Sequence, residues 1–157
     1  MNHDIFIRPA VGSDSHDIAQ IAETSGLFPA DLLPDMIAPY LSQSAPDQIW
    51  LVALEGKDLL AFLYCEPERM TVGTANMLAL ATRSDRRSHG IGARLVKGLE
   101  EACRARGDRI LLVETSGLPE FDRTRAFYKR EGYERIATLP EFYDAGEDKI
   151  VFMKRLN

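Results

Sequence analysis

The sequence predicts an α/β (α+β) domain: a mixed sheet with helices on both faces. Three observations predict it. Apolar runs of strand type and stretches of helical period follow one another in the order β α α β β β α β α β β. Residues 49–54, 58–66 and 74–82 are consecutive strand-like runs, most simply an antiparallel meander. Residues 110–113 (ILLV) are unbroken apolar sequence, as expected of a strand covered on both faces. One helical stretch separates this run from 74–82, so the two should be parallel and joined by a right-handed crossover. A length of 157 residues suits one domain, 1–157, with room for a real core.

Each element has its own local reason. Residues 5–8 are a short apolar run stopped by Pro9, a first strand. Residues 13–17 (SDSHD) offer N-caps to a helix whose buried face is Ile18, Ile21 and Ala22 and whose stop is Gly26. Four prolines then punctuate 27–46; Pro34 suits the first turn of a short helix over 35–41. This segment reads either as one wall of a cleft or as a connector with a small core patch. Glu55-Gly56-Lys57 makes a hairpin turn between the next two strands, and 67–73 is a polar loop. Ile91, Leu95, Leu99, Ala102 and Cys103 share a helical face that ends at Gly107. After the apolar strand, Gly117-Leu118-Pro119 leads into a helix over 122–131, closed by Gly132. Residues 133–138 and 150–155 are the last strands, with an acidic loop, 140–148, between them.

Composition excludes several classes. An apolar fraction of 45% and a charged fraction of 27% belong to a soluble globular chain, and a net charge of −5 argues against non-specific nucleic-acid binding. Positive charge is local instead: Arg83, Arg86, Arg87 and Arg94 crowd one segment, offset only by Asp85. Cys65 and Cys103 lie in apolar patterns and read as reduced, buried thiols. His3, His16 and His89 form no triad or metal spacing, so no metal is expected. The N-terminus lacks signal character and no apolar run approaches a membrane span, which predicts a cytoplasmic protein without a membrane partner.

The arginines surround the most informative stretch, LALATRSDRRSHGIGARLVKG from Leu78 to Gly98. A strand feeds a turn with glycines at 90 and 92, and a helix starts at once behind it. First-turn N–H groups lack intrahelical partners and carry the positive end of the helix dipole, so this arrangement suits an anion such as the pyrophosphate of a nucleotide-like cofactor. A dinucleotide fingerprint is poorly matched, because Leu95 stands where its third glycine belongs. The phosphate-loop motif with Gly-Lys-Ser/Thr is absent. A purely structural Gly-x-Gly turn remains the alternative.

Arg87-Ser88-His89-Gly90-Ile91-Gly92, followed by Ala93, resembles the Q/R-x-x-G-x-G/A signature of the GNAT superfamily of acetyl-CoA-dependent N-acyltransferases. Phe127-Tyr128-Lys129-Arg130-Glu131-Gly132-Tyr133 is similar to that family's F/L-Y-x-x-x-G-F/Y element. The resemblance covers essentially the whole chain. It implies a mostly antiparallel sheet of about seven strands flanked by about four helices, with a central splayed parallel pair.

The resemblance also implies roles. Leu80, Ala81 and Thr82 would contact pantetheine; Arg87, Ser88, His89, Gly90, Ile91, Gly92 and Ala93 would hold the pyrophosphate of acetyl-CoA. His89 would serve through its backbone. Tyr128 would be the acid that protonates the departing thiolate; its alternative is a core tyrosine beside Phe127. Some family members carry a glutamate upstream of the signature where this chain has Asn76, which cannot act as a base. Glu114, at the end of 110–113, is the substitute, its alternative being a solvated or cap-bonded carboxylate. The family's asparagine at the start of the tyrosine helix is replaced by Phe121 or Asp122. Tyr143 and Asp144 of the acidic loop would help hold a cationic amine, unless the loop is simply a solvated hairpin anchored by Phe142. The implied activity is N-acetyl transfer from acetyl-CoA to a small-molecule or peptide amine, with a non-catalytic acyl-CoA-binding or regulatory module as the alternative. A homodimer is the commonest assembly.

Overall fold

The strand-like runs become β1 (Ile5–Pro9), β2 (Ile49–Glu55), β3 (Asp58–Pro67), β4 (Thr74–Thr82), β5 (Ile110–Ser116), β6 (Glu134–Asp144) and β7 (Glu147–Arg155). The stretches of helical period become α1 (Ser15–Thr24), α2 (Leu33–Leu41), α3 (Ile91–Arg106) and α4 (Asp122–Arg130). This computed structural model describes residues 4–87 and 89–157, so His3 and Ser88 lie outside the described residues. The strands are hydrogen-bonded in the order β1-β2-β3-β4-β5-β7-β6, antiparallel except for the parallel pair β4 and β5. Two compact units divide the chain, Met1–Glu66 with Ala79–Ala102 and Pro67–Leu78 with Cys103–Asn157; β4 contributes to both.

In the first unit, β2 pairs with β1 through Ile7↔Ala53 and with β3 through Trp50↔Tyr64. Trp50 is buried and stacks on Tyr64 with ring centroids 4.2 Å apart. Ile18, Ile21 and Ala22 of α1 join Leu33 and Ile37 of α2 in the same core. The other sheet face receives α3, where a Cβ at Gly98 would stand 3.4 Å from Ile7 and 3.7 Å from Leu51. Ile91, Leu95, Leu99 and Cys103 are buried along that helix, as the period required, and Cys65 and Cys103 are both buried thiols in no disulfide among the described residues.

The start of α1 is tied differently from the sequence expectation. No side-chain cap bond forms; instead Asp14 accepts the Val11 N–H at 2.8 Å and both Arg8 guanidinium nitrogens, at 2.7 and 3.0 Å. Burial alone would raise the Asp14 carboxyl, but the Arg8 bond, the Val11 N–H and the Arg8 charge together hold it below the usual carboxylate value. A depressed native pKa gives stability above the unfolded value of about 3.9 that is lost as pH falls through the native one. Asp14→Asn should therefore cost about 1–2 kcal/mol at neutral pH. In urea unfolding the difference from wild type should shrink as the buffer is taken below that range.

In the second unit, β4 and β5 pair in parallel from Thr74↔Ile110 to Met77↔Val113. β5 runs on to Ser116 against β7, with Glu114↔Val151 and Ser116↔Lys149, so Glu114 lies within the strand and not just past it. The expected acidic loop 140–148 is corrected too. β6 extends to Asp144 and β7 begins at Glu147, leaving only Ala145-Gly146 as the turn, with Gly146 at φ +78°. The register runs from Leu139↔Lys149 to Asp144↔Glu147, so residues 140–143 bulge opposite Asp148.

Candidate active site

The turn after β4 lies in the first unit. Arg83 N–H donates to Leu60 O at 2.8 Å, a 3₁₀ turn follows over Ser84–Arg86, and Gly90 adopts φ +75°, a conformation that favours glycine. α3 opens at Ile91, and Arg94 N–H reaches back to Gly90 O at 3.2 Å. Ala81 and Ile91 are buried. Leu80, Thr82, Gly92 and Ala93 are half-buried, whereas Arg87, His89 and Gly90 are exposed.

The arginine crowd is more neutralised than the local sequence suggested. Asp85 does bind Arg83, at 2.7 and 3.1 Å, but Glu55 at the end of β2 also grips Arg86 through two bonds of 2.9 and 3.0 Å. Arg87 and Arg94 keep exposed side chains. His89 Nδ1 lies 3.0 Å from the Arg86 carbonyl, which can only accept, so Nδ1 carries the hydrogen and the ring braces the turn.

The second unit holds the other candidates. Tyr128 on α4 is 5% exposed and packs against Phe127, Tyr133 and Phe152, at centroid distances of 5.3, 6.1 and 5.8 Å. Burial pushes its phenol well above the ordinary value, so it stays protonated at neutral pH. Glu114 is the hub of a polar cluster. Its Oε1 accepts Asn76 Nδ2 at 3.1 Å and its Oε2 accepts Lys149 Nζ at 3.1 Å. The same Asn76 nitrogen donates to Glu68 Oε2 at 3.1 Å.

Partial burial first, then the charges of Glu114 and Glu147, raise the phenol of Tyr143, whose side chain is otherwise exposed. Asp144 is drawn elsewhere, its Oδ1 accepting the Ala145 N–H at 2.7 Å within the hairpin turn. Glu68 and Lys149 were not anticipated. The register could have found Lys149, since it stands diagonally from Glu114 across β5 and β7, within reach of a long side chain. Among the described residues, no group of three or more His, Cys, Asp or Glu side chains is disposed to hold a metal, and no helix is long and apolar enough to cross a membrane.

A strand that outruns its parallel partner and feeds a glycine turn at a helix start defines a class of protein, and comparison agrees with it. The profile of the acetyltransferase (GNAT) family matches residues 16–133, and the chain belongs to that family. A GNAT-family protein from Desulfovibrio desulfuricans has the same fold, with a TM-score of 0.91 and 28% identity over 98% of this chain and 100% of its own. A Salmonella typhimurium protein solved with its cofactor acetyl-CoA is similar in fold, with a TM-score of 0.81 and 16% identity over 99% of this chain and 95% of its own. An uncharacterized N-acetyltransferase from Methanocaldococcus jannaschii is 35% identical over 89 residues, 55% of this chain. The match spans 54% of that relative, about half its length.

Proposed function

We propose that the protein transfers an acetyl group from acetyl-CoA to a primary amine, by direct attack of the amine while both substrates are bound. The observation that carries this reading is the end of β4. Its pairing with β5 stops at Met77, the strand continues to Thr82, and the chain then enters the left-handed Gly90 and α3. Backbone groups of Leu80, Ala81 and Thr82 pair with the pantetheine amides. N–H groups from Arg87, His89, Gly90, Ile91, Gly92 and Ala93, backed by the α3 dipole, hold the pyrophosphate. Membership of the acetyltransferase family supports this assignment.

Acetyl-CoA supplies the thioester, and the chain's own residues do the rest. A backbone N–H of β4 stabilises the oxyanion that develops on the carbonyl. Glu114 takes a proton from the incoming ammonium, whose solution pKa is near ~10 for a lysine-like amine. Tyr128 is assigned to the departing sulfur because it stands at the tyrosine position of the Phe127–Tyr133 motif. Its phenol, raised above its usual value of about 10, is a weaker acid than a thiol of about 8.5, so it stabilises the thiolate chiefly by donating a hydrogen bond, and the sulfur takes up the proton that the attacking nitrogen sheds as the intermediate collapses. Tyr143 and Asp144 give the acceptor side its aromatic and acidic character. The acceptor is a peptide N-terminus, a lysine or a small amine, with no nucleic-acid or membrane partner. The protein acts in the cytoplasm, as a homodimer if it follows the commonest symmetry.

Thiol release from acetyl-CoA across a panel of N-terminal peptides, lysine peptides, polyamines and aminoglycosides tests the reading. Acceptor-dependent release with at least one class is the expected result. Saturable acetyl-CoA binding with no release on any acceptor would instead establish the non-catalytic acyl-CoA-binding module, a reading favoured by Asn76 in place of an upstream glutamate.

A further inference from the structure

We infer that Glu114 and the Phe142 ring form a receptor for a primary ammonium, which Lys149 occupies in this structure and which the acceptor amine takes over from it. The inference rests on Glu114 serving the acceptor, as proposed above. Lys149 Nζ stands 3.7 Å from the centroid of the Phe142 ring and 3.1 Å from Glu114 Oε2, with its side chain 11% exposed. A carboxylate on one side and a ring face on the other is a recognised way to hold an ammonium, and Lys149 carries the same functional group as the proposed substrates.

Two further features shape the receptor. The first is the bulge of β6, which brings residues 140–143 opposite Asp148, next to Lys149 in β7. Glu141, at φ +53°, donates its N–H to Asp148 Oδ1 at 2.9 Å and accepts the Gly146 N–H at 3.0 Å, so both sides of the bulge are pinned. The second is Asn76, 4% exposed, which spends its amide nitrogen on Glu114 and Glu68 and leaves Oδ1 buried without a partner. The orientation of this amide follows from its neighbours, because the reverse would set its oxygen against two carboxylates. A buried acceptor left orphaned in this way is the kind of exception that marks a functional site. Among the described residues Lys149 answers Glu114, while Glu68 makes no ion pair. The cluster thus keeps negative charge for a second cation.

The consequence is a preference for one class of acceptor: a primary ammonium on a slender, unbranched alkyl arm, such as a lysine side chain or a polyamine end. Such a group can follow the path that Lys149 already takes. The internal occupant also weakens apparent binding, in proportion to the fraction of time it holds the receptor. Occupancy of about nine-tenths raises the apparent Kd about ten-fold.

The test uses n-butylammonium chloride and the wild-type protein, without acetyl-CoA. The Phe142 ring current should shift the Lys149 ε-CH₂ protons upfield. Saturating probe should return them toward free lysine. Lys149→Met should bind the probe about ten-fold more tightly than wild type, and the added change Phe142→Leu should abolish that gain. A probe that never saturates, or saturates with the Lys149 signals unmoved, overturns the inference, as does a folded Lys149→Met that binds no more tightly. If Lys149→Met does not fold, the wild-type titration decides alone. Acetyl transfer to amines without displacement of Lys149 would sink the receptor and keep the catalytic reading. Displacement without transfer to any acceptor would do the reverse.

Discussion

Tyr128→Phe should lower the turnover of acetyl transfer about 10²–10³-fold while acetyl-CoA affinity holds within about two-fold. The substitution deletes one oxygen and keeps the ring that packs on Phe127, Tyr133 and Phe152. Among the described residues nothing hydrogen-bonds that hydroxyl, so its loss orphans no partner and thermal stability should not fall. A core tyrosine and a catalytic one therefore predict different things. The core role predicts unchanged turnover and an unchanged melt, whereas the catalytic role predicts a selective loss of turnover. Single-turnover thiol release beside equilibrium acetyl-CoA titration separates the two, and small, parallel changes in both would remove Tyr128 from the chemistry.

What was legible in the sequence follows the range of the interactions that decide each feature. The glycine turn is local: Gly90 has to reach φ +75°, α3 starts at the next residue, and both could be read from spacing. The parallel pairing of β4 and β5 was also legible, because a helix separates two strand-like runs. The reach of the β6–β7 hairpin was not. Its Pro140 and clustered acids carry loop signals, yet strand runs on to Asp144 and resumes at Glu147, with residues 140–143 bulged opposite Asp148. β5 outran its apolar run too, since β7 satisfies the backbone of Glu114, Thr115 and Ser116 whatever their side chains. Arg86 looked like a free cation because its partner, Glu55, lies on a strand remote in sequence. Asn76 could be read only as the absence of a base. Its two carboxylate partners emerge from the meeting of the 67–73 loop, β4 and β5.

Glu114→Gln should do two separable things, because Glu114 carries both the proposed base and the charge that answers Lys149. With side chains 23% and 11% exposed, the pair is partly buried, and removing the carboxylate charge should destabilise the protein by about 1–2 kcal/mol. Loss of the base should lower turnover at least about a hundred-fold. Lys149→Met resolves the two effects. In that background no ammonium remains to be left unpaired, so the stability cost of Glu114→Gln should largely vanish, whereas the turnover loss should persist. A denaturation-based double-mutant cycle measures the first coupling, and thiol release with a saturating acceptor measures the second. If turnover recovers in the double variant along with stability, Glu114 acts only through Lys149 and the base must be sought elsewhere. If turnover stays low in a protein as stable as Lys149→Met alone, the carboxylate itself is the group the reaction needs.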